Sequence, residues 1–300
     1  MRSCIIILSF LIPVLTGCRD NQPGGDEAEQ TPIVESTDKL LGKIGKDELM
    51  KPAFSEWFQP AYEEYEVNTE LTDSYKDQLK DYEIEVFMGT WCEDSQREVP
   101  TLFKVLEAAG YPMEQLKIIA IDDEIANYKR SPDGEEEGRN IHHVPTIILK
   151  KDGKEVNRII EYPVRTIEED LQVIMDGNYT PYYFAADMVH EKLNEMGLET
   201  FKENLGALAT EFSGKTRDVY ELNTYAKTIF RQGKKEEAIQ VATLNTKIYP
   251  DDANSFAGLG SRLSEMERNE EALKIFEKAV ELAPDDSEFR GLLDEVKAKL

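Results

Sequence analysis

Between Tyr82 and Met175 the apolar residues fall into short runs separated by polar turns. Ile84-Glu85-Val86-Phe87-Met88 reads as a buried strand, and Leu116 to Ile121 as a second. From Asp94 to Ala109 the period changes to that of a helix, with Val99, Leu102, Phe103, Val105 and Leu106 on its apolar side. Asp122 to Arg139 is a charged loop with a short helix. Thr146 to Lys150 and Val156 to Tyr162 read as two strands joined by Lys151-Asp152-Gly153-Lys154, a hairpin signal. Ile167 to Met175 closes the region as a helix. The order β-α-β-α-β-β-α predicts an α/β domain, a mixed sheet flanked by helices. Upstream, Leu40 to Leu79 reads as helical, because Trp57, Tyr62 and Tyr65 recur at roughly helical spacing.

Beyond Gly177 strand signals stop and the chain reads as all-α. Leu222, Tyr225, Ala226, Ala238 and Pro250 recur 34 residues later as Phe256, Leu259, Gly260, Ala272 and Pro284. Small residues at fixed places let paired helices approach, and the prolines end each second helix. This period resembles tetratricopeptide repeats, which implies repeats at about 219–252 and 253–286 and a capping helix over 287–300. Asn245 stands where such repeats usually carry a small apolar residue. Tyr183 to Phe212 is read as a degenerate preceding pair, since two repeats alone stack poorly. The inner helix faces should carry Tyr220, Asn223, Lys227 and Arg231, then Ala257, Ser261 and Glu265. A protein partner is expected in that groove. A homodimer stabilised by the repeats is the plainer reading.

The first residues read as a targeting segment. Arg2 precedes twelve mostly apolar residues, Cys4 to Leu15. That is shorter than the roughly 20 residues a bilayer span needs, and it suits a signal-peptide core. Leu15-Thr16-Gly17-Cys18 resembles the bacterial lipobox, which implies cleavage after residue 17 and lipidation of Cys18. The expected product is an envelope protein facing the periplasm and tethered to the membrane by lipid. Arg19 in place of an aspartate points to the outer membrane of a Gram-negative bacterium. Residues 18–38 read as a flexible acidic tether, followed by an α/β domain over 39–179 and a helical domain over 180–300. The net charge of −25 becomes −26 once Arg2 is removed. Such acidity argues against nucleic acid as a partner, because phosphate is bound by basic patches.

Signal cleavage takes Cys4 and lipidation takes Cys18, so Cys92 is the one free thiol expected in the mature chain. It follows a strand and opens a helix, where unpaired N–H groups favour a thiolate. Pro100 lies inside that helix, and His142-His143-Val144-Pro145-Thr146 precedes the hairpin. Trp91-Cys92, the helix proline and the Val-Pro-Thr loop together resemble the thioredoxin superfamily over about residues 80–176. The resemblance implies a thioredoxin-like fold, a cis Pro145 across from Cys92 and a loop that holds an extended substrate. It also implies Trp91 as a partly exposed shield of the thiol.

Three features depart from that family. Ser95 stands where the second cysteine would be, Val86 replaces a buried acid, and Glu93 and Asp94 flank the thiol. A serine cannot resolve a mixed disulfide, so an external reducing thiol must do so. Helix terminus and carboxylates oppose each other at about 1 kcal/mol each, so the Cys92 pKa is expected a little below the free value of about 8.5. Ser95 is expected to bond Cys92 or to cap the helix. His142 and His143 are expected to be solvent-exposed loop residues; the alternative is that one assists proton transfer. No glycine-rich phosphate loop or metal-ligand spacing is present, and neither cofactor nor metal is expected. The function expected is monothiol thiol–disulfide exchange with protein or peptide disulfides. The alternative is a non-enzymatic adaptor lipoprotein in which both domains bind protein partners.

Overall fold

The structure is a computed structural model and describes the backbone of Val34–Ser36 and all of residues 39–300. The signal segment, Cys18 and most of the tether lie outside the described residues. Among the described residues no helix is long and apolar enough to cross a membrane.

Val34–Ser36 (β1) pairs antiparallel with Lys39–Ile44 (β2) at the sheet edge, within the stretch whose beginning reads as tether. Lys46–Leu49 (α1), Pro52–Glu64 (α2) and Thr69–Leu79 (α3) follow. Then come Glu83–Met88 (β3), Glu93–Ala108 (α4), Leu116–Ala120 (β4), Thr146–Lys151 (β5), Lys154–Ile160 (β6) and Ile167–Met175 (α5). The six strands are ordered β1-β2-β4-β3-β5-β6, with β3 and β4 parallel and the other neighbours antiparallel. This is the α/β region expected, with three corrections. Val34–Ser36, expected in the tether, is strand because it pairs with β2. The short helix expected within the charged loop is only a 3-10 turn, Ile125–Asn127. Leu40–Ile44 is strand rather than helix. Leu40 and Ile44 alternate inward on a run too short to set a period, and pairing with β4 decides its state.

Strand period 2 sorts the sheet into two faces. Ile84, Val86 and Met88 join Ile118, Ala120, Ile147 and Leu149 in the larger core, against α2 to α5. Phe87, Ile119, Ile121 and Ile148 point to the opposite face, where Ile141 and Val144 of a loop cover them. Val86 is wholly buried. The β5–β6 hairpin turns on Asp152 and Gly153, both at positive φ (55° and 73°), as a tight two-residue turn requires.

The remainder is helical: Ala185–Met196 (α6), Leu198–Glu203 (α7), Leu205–Phe212 (α8), Val219–Arg231 (α9), Lys235–Ile248 (α10), Ala253–Glu265 (α11), Asn269–Leu282 (α12) and Ser287–Lys297 (α13). Gly197, at φ 73°, separates α6 from α7 within the segment read as a degenerate pair. Helix starts recur every 34 residues, at Val219, Ala253 and Ser287 and at Lys235 and Asn269. Asp218, Asp252 and Asp286 each cap the first helix of a unit by accepting backbone N–H bonds. Gly260 lets α11 lie on Phe276 of α12, where a Cβ would stand 2.8 Å from the ring. Asn245 is fully buried and donates to the Val219 carbonyl and to Asn223, so its amide cross-links α10 to α9. A second large core, separate from the first, fills this half. Sheet and helices belong to one compact unit.

Candidate functional site

The site lies on the less covered face of the sheet, at the end of β3. Met88 ends the strand, and Gly89-Thr90-Trp91 turns the chain so that Cys92 becomes the N-cap of α4. The turn is anchored on every side. Leu40 N–H donates to the Thr90 hydroxyl, Gln96 donates to the Thr90 carbonyl, and Cys92 N–H donates to the Gly89 carbonyl. Trp91 Nε1 donates to the Ile121 carbonyl at 2.9 Å, which holds the indole over Gly89. Trp91 and Cys92 are both partly buried against Phe87, Ile121 and Val144. Any Cβ at position 89 would run into that indole. Gly89→Ala is therefore expected to displace Trp91 and to cost about 1–3 kcal/mol, read as a lower denaturant midpoint.

Opposite Cys92 lies the loop before β5. The Val144–Pro145 bond is cis, and the Cys92 thiol donates to the Val144 carbonyl at 3.3 Å. Pro145 and Cys92, 53 positions apart in the chain, are thus neighbours. Ser95 is fully buried in the first turn of α4, and its hydroxyl accepts the Gly89 N–H at 3.2 Å. That hydroxyl also favours the ionised form of the sulfur.

The thiol pKa departs from the expectation. Burial pushes the Cys92 thiol above its ordinary value. The Ser95 and Asp94 N–H groups pull it back, and the Asp94 carboxylate adds to the rise. Desolvation, which is set by tertiary packing, outweighs the pull of the helix end and exceeds the push of the carboxylate here.

The histidines depart as well: both are buried, not exposed. Their Nδ1 atoms approach to 2.6 Å, and His142 Nε2 faces Asp187 of α6 at 3.3 Å. His143 stacks on Tyr183, ring centroids 4.4 Å apart. Burial, then the neighbouring His142 and Lys129, hold His143 well below its ordinary pKa, so it is neutral near pH 7. The helical half covers this loop, and a covering element distant in sequence cannot be read from the loop itself.

Three more groups gather around the loop opposite the thiol, and no motif marks them. Lys129 is buried at φ 56°, bonds the His142 carbonyl through Nζ, and is held by burial down to about 8. The Cys92 and Glu161 charges oppose that fall. Glu161 donates its N–H to the Pro145 carbonyl at 2.8 Å, and burial pushes its carboxyl up to about 7. Tyr128 senses the charges of Cys92 and Glu161, and burial pushes its phenol up to about 12. The one available hint was the Tyr-rich run around Tyr182-Tyr183, whose rings pack with Tyr162 beside this loop.

Chemically, the arrangement presents one thiol at a helix N-terminus, a cation held nearby without an adjacent carboxylate bond, and a protonatable acid. No other thiol is found among the described residues. No protein-family model matches this chain, and no curated protein matches it either.

Proposed function

We propose that this protein carries out thiol–disulfide exchange with a single thiol, on a thioredoxin-like domain followed by tetratricopeptide-type repeats. The observation that carries the reading is Cys92 at the N-terminus of α4, its sulfur 3.3 Å from the carbonyl that precedes cis Pro145. In the proposed reaction the Cys92 thiolate attacks one sulfur of a substrate disulfide. A new S–S bond forms to Cys92, the old one breaks, and the departing thiolate takes up a proton. A separate reducing thiol then attacks the mixed disulfide, releases the substrate and restores Cys92. Ser95 favours the ionised sulfur and supplies no second nucleophile. Trp91 shields one side of the sulfur, and the Pro145 loop holds the substrate chain. Residues 1–18 are proposed to deliver the protein to the cell envelope on a lipid, facing the periplasm.

A second reading, an adaptor whose domains only bind protein partners, is favoured by the burial that raises the thiol pKa. Intact cells separate the two. Disulfide-linked partners of the unaltered protein are expected on non-reducing gels and should vanish in Cys92→Ser. Alkylation of Cys92 no faster than that of a free thiol of equal pKa, with no linked partner captured, would overturn exchange in favour of the adaptor.

A further inference from the structure

The helical half brings cations to Tyr128, next to the buried Lys129, in a chain whose net charge is −25. Lys227 and Arg231 lie one turn apart on α9, and Arg262 lies on α11. Arg231 and Arg262 share a single carboxylate, Glu265, at 2.5 and 2.8 Å. Their side chains are only 17% and 11% exposed. Lys227 has no ion pair among the described residues; its ammonium stands 4.3 Å over the ring of Tyr128. Three cations thus outnumber the two carboxylates that act on them, Glu265 and Asp123, and burial and both arginines lower the Lys227 pKa against those two acids. Tyr128 joins this cluster to the reactive centre: its ring lies under both Lys227 and Lys129, at 4.3 and 5.3 Å, and Lys129 bonds the carbonyl of His142, two residues before the Val144 carbonyl that accepts from Cys92. A half-buried surplus of positive charge joined to the thiol's loop is satisfied by an anion that arrives with the disulfide.

We infer that Cys92 exchanges with acidic peptide disulfides, whose carboxylates next to the cysteine are held by Lys227, Arg231 and Arg262. The inference rests on the exchange reading above and adds the substrate class. It opposes what the bulk charge alone would do, since a chain this acidic repels an acidic peptide.

The test uses three short peptides of one length, each with a single cysteine activated as the 2-pyridyl disulfide. The cysteine is flanked by aspartates, by serines or by lysines. Cys92 forms a disulfide with the peptide cysteine, the pyridyl disulfide breaks, and the proton from Cys92 leaves on the released pyridine thione, which is followed by absorbance. At low salt the aspartate peptide is expected to react about tenfold faster than the serine peptide. The ratio should approach one near 1 M salt, where screening acts within about 3 Å. It should also fall in Lys227→Gln, a variant that breaks no ion pair, and further in Arg262→Gln. Equal rates for aspartate and serine peptides, or a faster lysine peptide, would overturn the inference while leaving exchange standing. Reaction of all three no faster than a free thiol of equal pKa would instead remove the exchange reading itself.

Discussion

Alkylation of Cys92 by a neutral electrophile is expected to rise about tenfold per pH unit between roughly pH 6 and 8, with no plateau near neutrality. Only the thiolate reacts, and far below its pKa the thiolate fraction grows tenfold with each unit. Burial places the Cys92 thiol above its ordinary value, against the pull of the Ser95 and Asp94 N–H groups. One neighbour shapes the upper part of the curve. Lys129, held near 8, is charged below that pH and helps the thiolate, then loses its proton and its help above it. The rise should therefore become shallower than tenfold above about pH 8. Lys129→Met should remove the help at neutral pH and slow alkylation there. A plateau reached at or below pH 7 would show a thiolate stabilised far beyond what this packing allows.

Tyr225→Ala is expected to lower unfolding free energy by about 3–5 kcal/mol, the range for deleting a large buried aromatic ring. Tyr225 is among the largest fully buried side chains, in the core of the helical half. Its ring also meets His142 edge-on with centroids 5.8 Å apart, and its hydroxyl bonds His190 at 2.7 Å. It therefore ties the repeat helices to the loop that carries Pro145. Two readouts follow. Denaturant unfolding should show the lost stability, and Cys92 alkylation at pH 7 should speed up as the covering of the loop loosens. Tyr225→Phe keeps the ring and removes one hydrogen bond, so it should cost about 1 kcal/mol. A loss in Tyr225→Ala no larger than in Tyr225→Phe would mean that the ring packs against neither partner.

Much of the fold was legible because burial writes periods into a chain. β3 ends in the unbroken apolar run Val86-Phe87-Met88 since it lies between β4 and β5 with both faces covered there. The 34-residue recurrence of helix starts follows from small residues, prolines and capping aspartates at fixed offsets. β2 escaped because one of its three alternating buried positions is Gly42, which leaves only Leu40 and Ile44 as apolar signals on the buried side of a six-residue run. The site was legible in part. Trp91, Cys92, Ser95 and Pro145 were found through their motif, and the chain brings them together. Lys129, Glu161 and Tyr128 were not found. A lysine in a charged loop and a glutamate after a strand look like surface residues, until a second part of the chain closes over them.

The amino-acid sequence by itself determined the alternation that sorts the sheet faces, the helical repeat, and a cysteine at a helix start with serine three residues on. Those are local properties, set by spacing and residue type. The tertiary structure alone decided the environment of that thiol. α6 and α9 cover the His142-His143 loop, which buries both imidazoles, and Lys227, Arg231 and Arg262 gather beside Tyr128. Desolvation and the placing of charge depend on which distant segments pack together, so the direction of the Cys92 pKa became readable only once the loop before β5 was set against the end of β3.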